Sequence, residues 1–198
     1  YALNKGYEVD DILYEADAFQ PVFLQMLHND KNVLERLNQD WEQENDDPKF
    51  DLFRRKLETE FLKEDINPSG KLVLFSESVD TLTYLQERLT QELGRTDVLM
   101  VTASNRNRLG QVIKENFDAN YPSDSRRYNL IITSDVLAEG VNLHRSNVIV
   151  NYDSPWNATR LMQRIGRVNR IGSVAPCIYN YMVEGSSVYL VANERLTV

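Results

Sequence analysis

The strongest constraint on this chain is an alternation that begins at residue 71. Short apolar runs of four to seven residues trade places with longer runs of helical period. The runs span residues 71–76, 98–102, 130–133, 147–152 and 177–183. Leu72, Val73, Leu74 and Phe75 are apolar at consecutive positions, as a strand buried on both faces requires, and parallel sheets are built from such strands. Between the runs, residues 79–94 predict a helix with Leu82, Leu85, Leu89 and Leu93 on one face and Gly94 as its C-cap. Residues 105–117 predict a second helix, with Leu109, Val112, Ile113 and Phe117 inward. Residues 157–169 predict a third, stopped by Gly172. Strands alternating with helices imply an α/β fold, a mostly parallel sheet with helices on both faces.

The front of the chain has a different character. Residues 1–70 hold 17 acidic against 8 basic side chains, and residues 71–198 hold 13 against 14. The net charge of −8 therefore belongs to the front. Val22, Leu24, Leu27, Val33, Leu34 and Leu37 recur at helical spacing, and the acidic stretch from Glu42 to Pro48 breaks the pattern. A second amphipathic run carries Phe50, Phe53, Leu57, Phe61 and Leu62, then ends at the turn signal Asn67-Pro68-Ser69-Gly70. The expected organisation is an acidic helical segment or linker over 1–70 and one domain over 71–198. The net charge argues against a simple basic nucleic-acid binder, while the neutral remainder neither supports nor excludes that partner.

No run of about 18 apolar residues is present, so no membrane-spanning helix is expected. Residues 1–6 lack the basic-then-apolar order of a signal peptide, and the chain lacks a starting Met, so it reads as cut from something longer. The lone Cys177 cannot form an internal disulfide and reads as a small buried residue in a reducing, cytoplasmic compartment.

The chemistry concentrates in Gln163-Arg164-Ile165-Gly166-Arg167-Val168-Asn169-Arg170. On a helix, Leu161, Ile165 and Val168 form a buried stripe. Arg160, Gln163, Arg167 and Arg170 form another stripe on a different face. Guanidinium forks match phosphate oxygens and stay charged at any working pH, which suits such a face to a triphosphate. Gly166 leaves room for close approach. The alternative is a solvated basic helix face.

Residues 163–170 resemble motif VI of the superfamily II helicases, Q-x-x-G-R-x-x-R. Residues 133–143 (Thr133 to Leu143) resemble motif V, and residues 71–78 resemble motif IV. The stretch Asn151-Tyr152-Asp153-Ser154-Pro155-Trp156-Asn157 and the Ile171-Gly172 pair are similar to the Snf-type DNA translocase branch. The resemblance covers roughly residues 71–183 and implies the second RecA-like domain of a motor. The chain departs from the branch pattern at Ser173, where Gln is usual. It also carries Asn169 and Asn142 where many relatives have Asp.

By that resemblance, Arg170 is the arginine finger on the γ-phosphate and Arg167 assists it. Gln163, Glu139 and Gly140 lie near the nucleotide. Gly140 also reads, on its own terms, as a position of close approach or positive φ, or as an ordinary helix C-cap. Ser76, Thr102 and Thr133 end apolar strands and are candidates to grip a nucleic-acid backbone, or else to cap the helices that follow. Arg106 and Arg108 are further phosphate contacts or exposed, idle side chains. Trp156 reads as a buried anchor rather than a base-stacking platform.

The chain contains no G-x-x-x-x-G-K-[ST] loop and no acidic box for magnesium. Gly70-Lys71-Leu72 enters a strand instead. ATP and Mg²⁺ are therefore expected to be bound mainly by a first RecA-like domain of the same chain. The implied partner is nucleic acid, duplex DNA by analogy with the Snf-type branch. No metal-ligand spacing is present, and His28 and His144 have no triad context. A non-catalytic binding module on the same fold is the main alternative. A phosphate-binding enzyme of another class is a weaker one, since no complete active site is present.

Overall fold

A computed structural model describes residues 19–195, apart from 45, 123–124, 138–139 and 186. The chain divides into two compact units, with the boundary between Asp46 and Asp47.

In the first unit, helix α1 (Pro21–Gln43) starts on a proline, whose missing N–H costs nothing in a first turn. None of its residues is buried. Lys31 pairs with Glu35 at 3.5 Å, and Asn38 donates to Glu42 at 2.8 Å, both one helical turn apart.

The second unit begins with α2 (Pro48–Lys56), capped by Asp47, whose carboxylate accepts the Phe50 N–H at 2.9 Å. A π-helical turn (Leu57–Phe61) continues it. Then follow β1 (Leu72–Phe75), α3 (Val79–Leu93), β2 (Val98–Val101), α4 (Arg106–Phe117), β3 (Leu130–Thr133), β4 (Val148–Asn151), α5 (Ala158–Val168), β5 (Cys177–Glu184) and β6 (Ser187–Arg195). The strand order is β2-β3-β1-β4-β5-β6. The first five are parallel, and β6 runs antiparallel to β5 with a register shift at Asn180/Tyr181. The mostly parallel α/β sheet expected from the sequence is the sheet that forms. β6 lies beyond the strands that the sequence pattern predicts.

Alternate strand residues feed two cores. Leu72, Leu74, Leu130, Ile132, Val148 and Val150 pack against α2 and α3. Val73, Phe75, Ile131 and Ile149 pack against α4 and α5. Every β1 side chain is therefore buried, as a parallel strand covered on both faces demands.

The boundary drawn at residue 70 differs from where the compact unit begins. Phe50, Phe53, Leu57 and Phe61 are fully buried in the first of those cores. Charge counts do not reveal this, because the charges of α2 face solvent while its apolar stripe decides the packing. From residue 47 onward the chain carries 19 acidic and 19 basic side chains. The whole net charge of −8 lies in residues 1–46.

The connection from β1 through α3 leads toward β2, and the connection from β4 through α5 leads toward β5. The chain therefore diverges at the carboxyl ends of the adjacent strands β1 and β4, which is where open α/β sheets bind ligands.

Candidate functional site

At that divergence the loop after β4 carries Asp153 and Trp156 and enters α5. Asn157 caps α5 by accepting the Arg160 N–H at 2.9 Å. Trp156 is 88% exposed, so the reading of it as a buried anchor is corrected. Its backbone N–H donates to Glu77 in the loop after β1, at 3.4 Å, and its indole projects away from the core. Arg160 extends to Asp135 at 3.0 Å and Glu77 at 3.7 Å.

One turn on, Arg164 is fully buried. Its Nε donates to Asp135 at 2.7 Å and its Nη1 to the Asn151 side chain at 3.0 Å. Its guanidinium lies 5.1 Å from the Phe75 ring centre. Asp135 opens a 3-10 turn (Asp135–Leu137) just after β3. This one arginine thus ties α5 to the ends of β1, β3 and β4. Sequence reading passes over it, because it lies between the buried stripe and the phosphate-facing stripe.

The strand-end hydroxyls are committed inside the protein. Ser76 is buried and donates to Asp153, which also accepts from Lys49 at 3.0 Å. Burial pushes the Asp153 carboxyl up, but the Ser76 and Lys49 hydrogen bonds outweigh it and hold it below the usual carboxylate range. Thr133 is buried and donates to the Val101 carbonyl at 2.9 Å. Thr102 shares a hydrogen bond with Ser104 at 2.9 Å. None of the three caps a helix. Ser78 caps α3 by accepting the Thr81 N–H at 3.3 Å, and Asn105 precedes α4. Arg108 is exposed on the first turn of α4.

Arg106, beside it, approaches the loop after β3. A Cβ built on Gly140 would meet its guanidinium at 2.7 Å, and Gly140 has φ +75°. The left-handed backbone favours glycine here, as one reading of Gly140 from the sequence holds, while the guanidinium end of Arg106 could swing aside for a side chain. Glu139 lies outside the described residues.

The second cluster surrounds the end of α5. Arg167 and Arg170 are half-buried, as is Gln163. Arg167 Nε donates weakly to the Gln163 carbonyl at 3.4 Å, and its own carbonyl accepts the Leu143 N–H at 2.9 Å. Arg170 Nε donates to the Gly166 carbonyl at 3.1 Å and its Nη1 to the Asn142 side-chain oxygen. Asn142 donates in turn to Asp118 at 3.2 Å. His144 is buried, with Nδ1 3.7 Å from Asp118, and burial lowers its pKa from 6.5. Ser173, the departure from the branch pattern, closes the turn after α5. Its hydroxyl donates to the Val168 carbonyl at 2.9 Å and accepts the Arg170 N–H at 3.4 Å. Gly172 makes that turn at φ +91°.

These two clusters are separate places. An 11-residue helix is about 16 Å long. α5 runs from the carboxyl edge of the sheet, where Asp135 and Trp156 lie, back toward its amino edge, where residues 142–147 lead into β4. Asp135 touches the first cluster, and Asn142 and Leu143 touch the second. The candidate phosphate-facing arginines thus sit at one end of α5, and the strand-end set at the other. Among the described residues no group of three or more His, Cys, Asp or Glu could hold a metal ion. The half-exposed arginines suit the outer oxygens of a polyphosphate rather than magnesium. Cys177 is half-buried at the start of β5, not fully buried as expected.

Residues 49–172 match the family model of the helicase conserved C-terminal domain. The chain is 46% identical over 46 residues to the "Uncharacterized ATP-dependent helicase YqhH" of Bacillus subtilis, covering 23% of this chain and 8% of that protein. It is 30% identical over 125 residues to the ATP-dependent RNA helicase DHH1 of Coccidioides immitis, covering 62% of this chain and 22% of that one. The chain thus spans less than a quarter of either relative. Among solved structures, the C-terminal part of the Fun30 ATPase domain superposes with a TM-score of 0.54 at 20% identity, covering 79% of this chain and 48% of that one. That likeness concerns the fold, which is RecA-like.

Proposed function

Because this chain belongs to the helicase conserved C-terminal domain family, we propose that it acts as the second motor domain of an ATP-dependent nucleic-acid translocase or helicase. In this reading a first RecA-like domain holds ATP and Mg²⁺, and this domain supplies charge to the far side of the triphosphate. Arg170 is the finger and Arg167 its assistant, with Gln163, Gly140 and Glu139 toward the nucleotide. The magnesium-bound triphosphate supplies the reacting phosphoryl group. The residues here orient it and neutralise the charge that develops on its oxygens.

The observation that carries the reading is the pair of half-exposed arginines at the end of α5, bound by backbone and side chain to the 134–147 loop. Asp135, earlier in the same loop, borders the carboxyl edge of the sheet, so in this reading the loop couples the nucleotide to a nucleic-acid surface. On that surface exposed Arg108 and half-buried Arg106 are the candidate phosphate contacts. Ser76, Thr102 and Thr133 would engage a phosphate by exchanging their internal hydrogen bonds. Contacts of this class hold a backbone without reading its sequence.

Duplex DNA is the proposed track, on the Snf-type character of residues 151–157 and 170–172. RNA is the second reading, supported by relatives named as RNA helicases. The test is the ATPase rate of the full-length chain with no nucleic acid, duplex DNA, single-stranded DNA or RNA, beside Arg170→Ala. Duplex stimulation lost in the variant is expected, with a fall of roughly 10³-fold or more. Stimulation by RNA alone moves the motor to the RNA branch. A variant as active as the parent, or no dependence on nucleic acid, rejects the motor assignment in favour of a binding module.

A further inference from the structure

Arg170 does not stand alone at the end of its helix. Its Nε is held by the Gly166 carbonyl at 3.1 Å, a single contact that by itself does not fix the rotation of the guanidinium. The Asn142 side chain stops the rotation: its carboxamide oxygen accepts from Nη1. The carboxamide is itself fixed, because its nitrogen donates to Asp118 at 3.2 Å. With a guanidinium on one side and a carboxylate on the other, only one orientation of Asn142 makes both contacts favourable: oxygen toward Arg170, nitrogen toward Asp118.

Asp118 is well placed as the fixed end. It follows the last turn of α4, and its side chain is only 13% exposed. Its other carboxylate oxygen faces buried His144. The chain on either side of the relay is anchored as well. Leu143, next to Asn142, donates its N–H to the Arg167 carbonyl, and Arg145 donates its N–H to the Phe117 carbonyl. Gly172, just past Arg170, packs 3.5 Å from Asn120 and 3.8 Å from His144 at the position a Cβ would take. The relay therefore joins the ends of two helices and the loop between them.

We propose that Asn142, oriented by Asp118, is a positioning residue that sets the direction in which Arg170 presents its guanidinium. The inference rests on the finger reading of Arg170 and deepens it. A guanidinium aimed before the domains close loses little rotamer entropy on meeting phosphate oxygens. One that must be recruited from solvent loses more and acts less often. Carboxamide also suits this place better than carboxylate. An aspartate at 142 would face the Asp118 carboxylate and be repelled by it, which displaces the acceptor that Arg170 meets.

The experiment compares steady-state ATPase of the full-length chain, with its stimulating nucleic acid, across Asn142→Ala, Asn142→Asp, Arg170→Ala, the Asn142→Ala/Arg170→Ala pair, and the exchange Asp118→Asn/Asn142→Asp. Asn142→Ala is expected to lower kcat by roughly 10- to 100-fold with KM for ATP within about twofold. Adding it to Arg170→Ala should cost nothing further, since the residue it aims is already gone. Asn142→Asp alone should be impaired. The exchange should recover most of the lost activity, because the carboxamide now at position 118 donates to the carboxylate at position 142, which still accepts from Arg170. Thermal melts of each variant separate misfolding from misdirection. A normal kcat for Asn142→Ala beside an inactive Arg170→Ala overturns the positioning role and leaves the finger intact. Multiplying losses in the pair, or no recovery in the exchange, also overturn it. Full activity of Arg170→Ala removes the finger reading and this inference together.

Discussion

At the residue scale, Arg164 carries the largest stake. It is fully buried, shares Asp135 with Arg160, and supplies the side-chain donor to the Asn151 side-chain oxygen. Removing one partner of such a group leaves the other polar atoms desolvated and unpaired, which costs about 3–5 kcal/mol. Arg160 keeps part of the Asp135 interaction, so Arg164→Met should sit near the lower end, at about 3 kcal/mol. Urea unfolding of the 198-residue chain measures it, and a loss under about 1 kcal/mol would show that Asp135 and Asn151 find water instead. The partly exposed side of the α5 end that carries Arg167 and Arg170 is legible in the sequence, because their helical spacing sets them apart from the buried stripe. Arg164 is not. A helical wheel treats arginine as outward, and its burial is decided by Asp135 and Asn151, which lie 29 and 13 residues away. Asn142 and Asp118 are hidden for the same reason, being 28 and 24 residues from the partners they bind. The strand-end hydroxyls show the converse error. Ser76, Thr102 and Thr133 stand at strand ends as expected, but local sequence does not tell that the Ser76 hydroxyl is taken by Asp153, 77 residues on.

At the element scale, continuous apolar runs read correctly as buried strands, because a strand covered on both faces has no polar alternation to disguise it. Helices α3, α4 and α5 are legible to within a residue or two, from their stripes and from the Gly94 cap, which takes φ +60°. β6 escapes the sequence pattern, which ends at the last parallel run. Its place is given by pairing with β5 across the Gly185 turn, not by a crossover helix. α2 reads as amphipathic in the sequence but falls outside the domain drawn there. Its stripe meets Leu72, Leu74, Val148 and Tyr152, with Phe53 and Tyr152 edge to face at 5.8 Å. A chain starting at residue 47 should therefore fold with a melting temperature close to that of the parent's second unit. A chain starting at residue 71 keeps α3 but should expose the part of the sheet face that α2 covers, and aggregate. Phe53→Ala in the longer chain should cost about 3–5 kcal/mol. Calorimetry of the two truncations decides it: cooperative melting of the 71–198 chain would mean that α2 only decorates the sheet.

At the scale of the whole molecule, the question is what one RecA-like unit can do alone. The sequence holds a single Gly-Lys pair, Gly70-Lys71, and the structure shows what that lysine does. Lys71 is buried, donates to the Ser125 and Tyr128 carbonyls at 3.2 and 3.0 Å, and lies over the Phe117 ring. It pins the loop before β3 to the start of β1, at the amino edge of the sheet. A phosphate-cradling lysine must instead face a ligand at the start of a helix. In the proposed reading Arg167 and Arg170 complete an active site begun elsewhere, and among the described residues no group of three or more His, Cys, Asp or Glu could hold a metal ion beside them. The isolated 198-residue chain should therefore release no phosphate from Mg·ATP above a buffer blank, with or without duplex DNA or RNA. A finger accelerates an assembled site by about 10³–10⁵, which multiplies nothing when the rest of the site is absent. Phosphate release from the purified chain, run beside its Arg170→Ala form, is the check. Magnesium-dependent turnover that vanishes in the variant would mean that this single unit builds a whole catalytic site, and the division of labour between two domains would have to be abandoned.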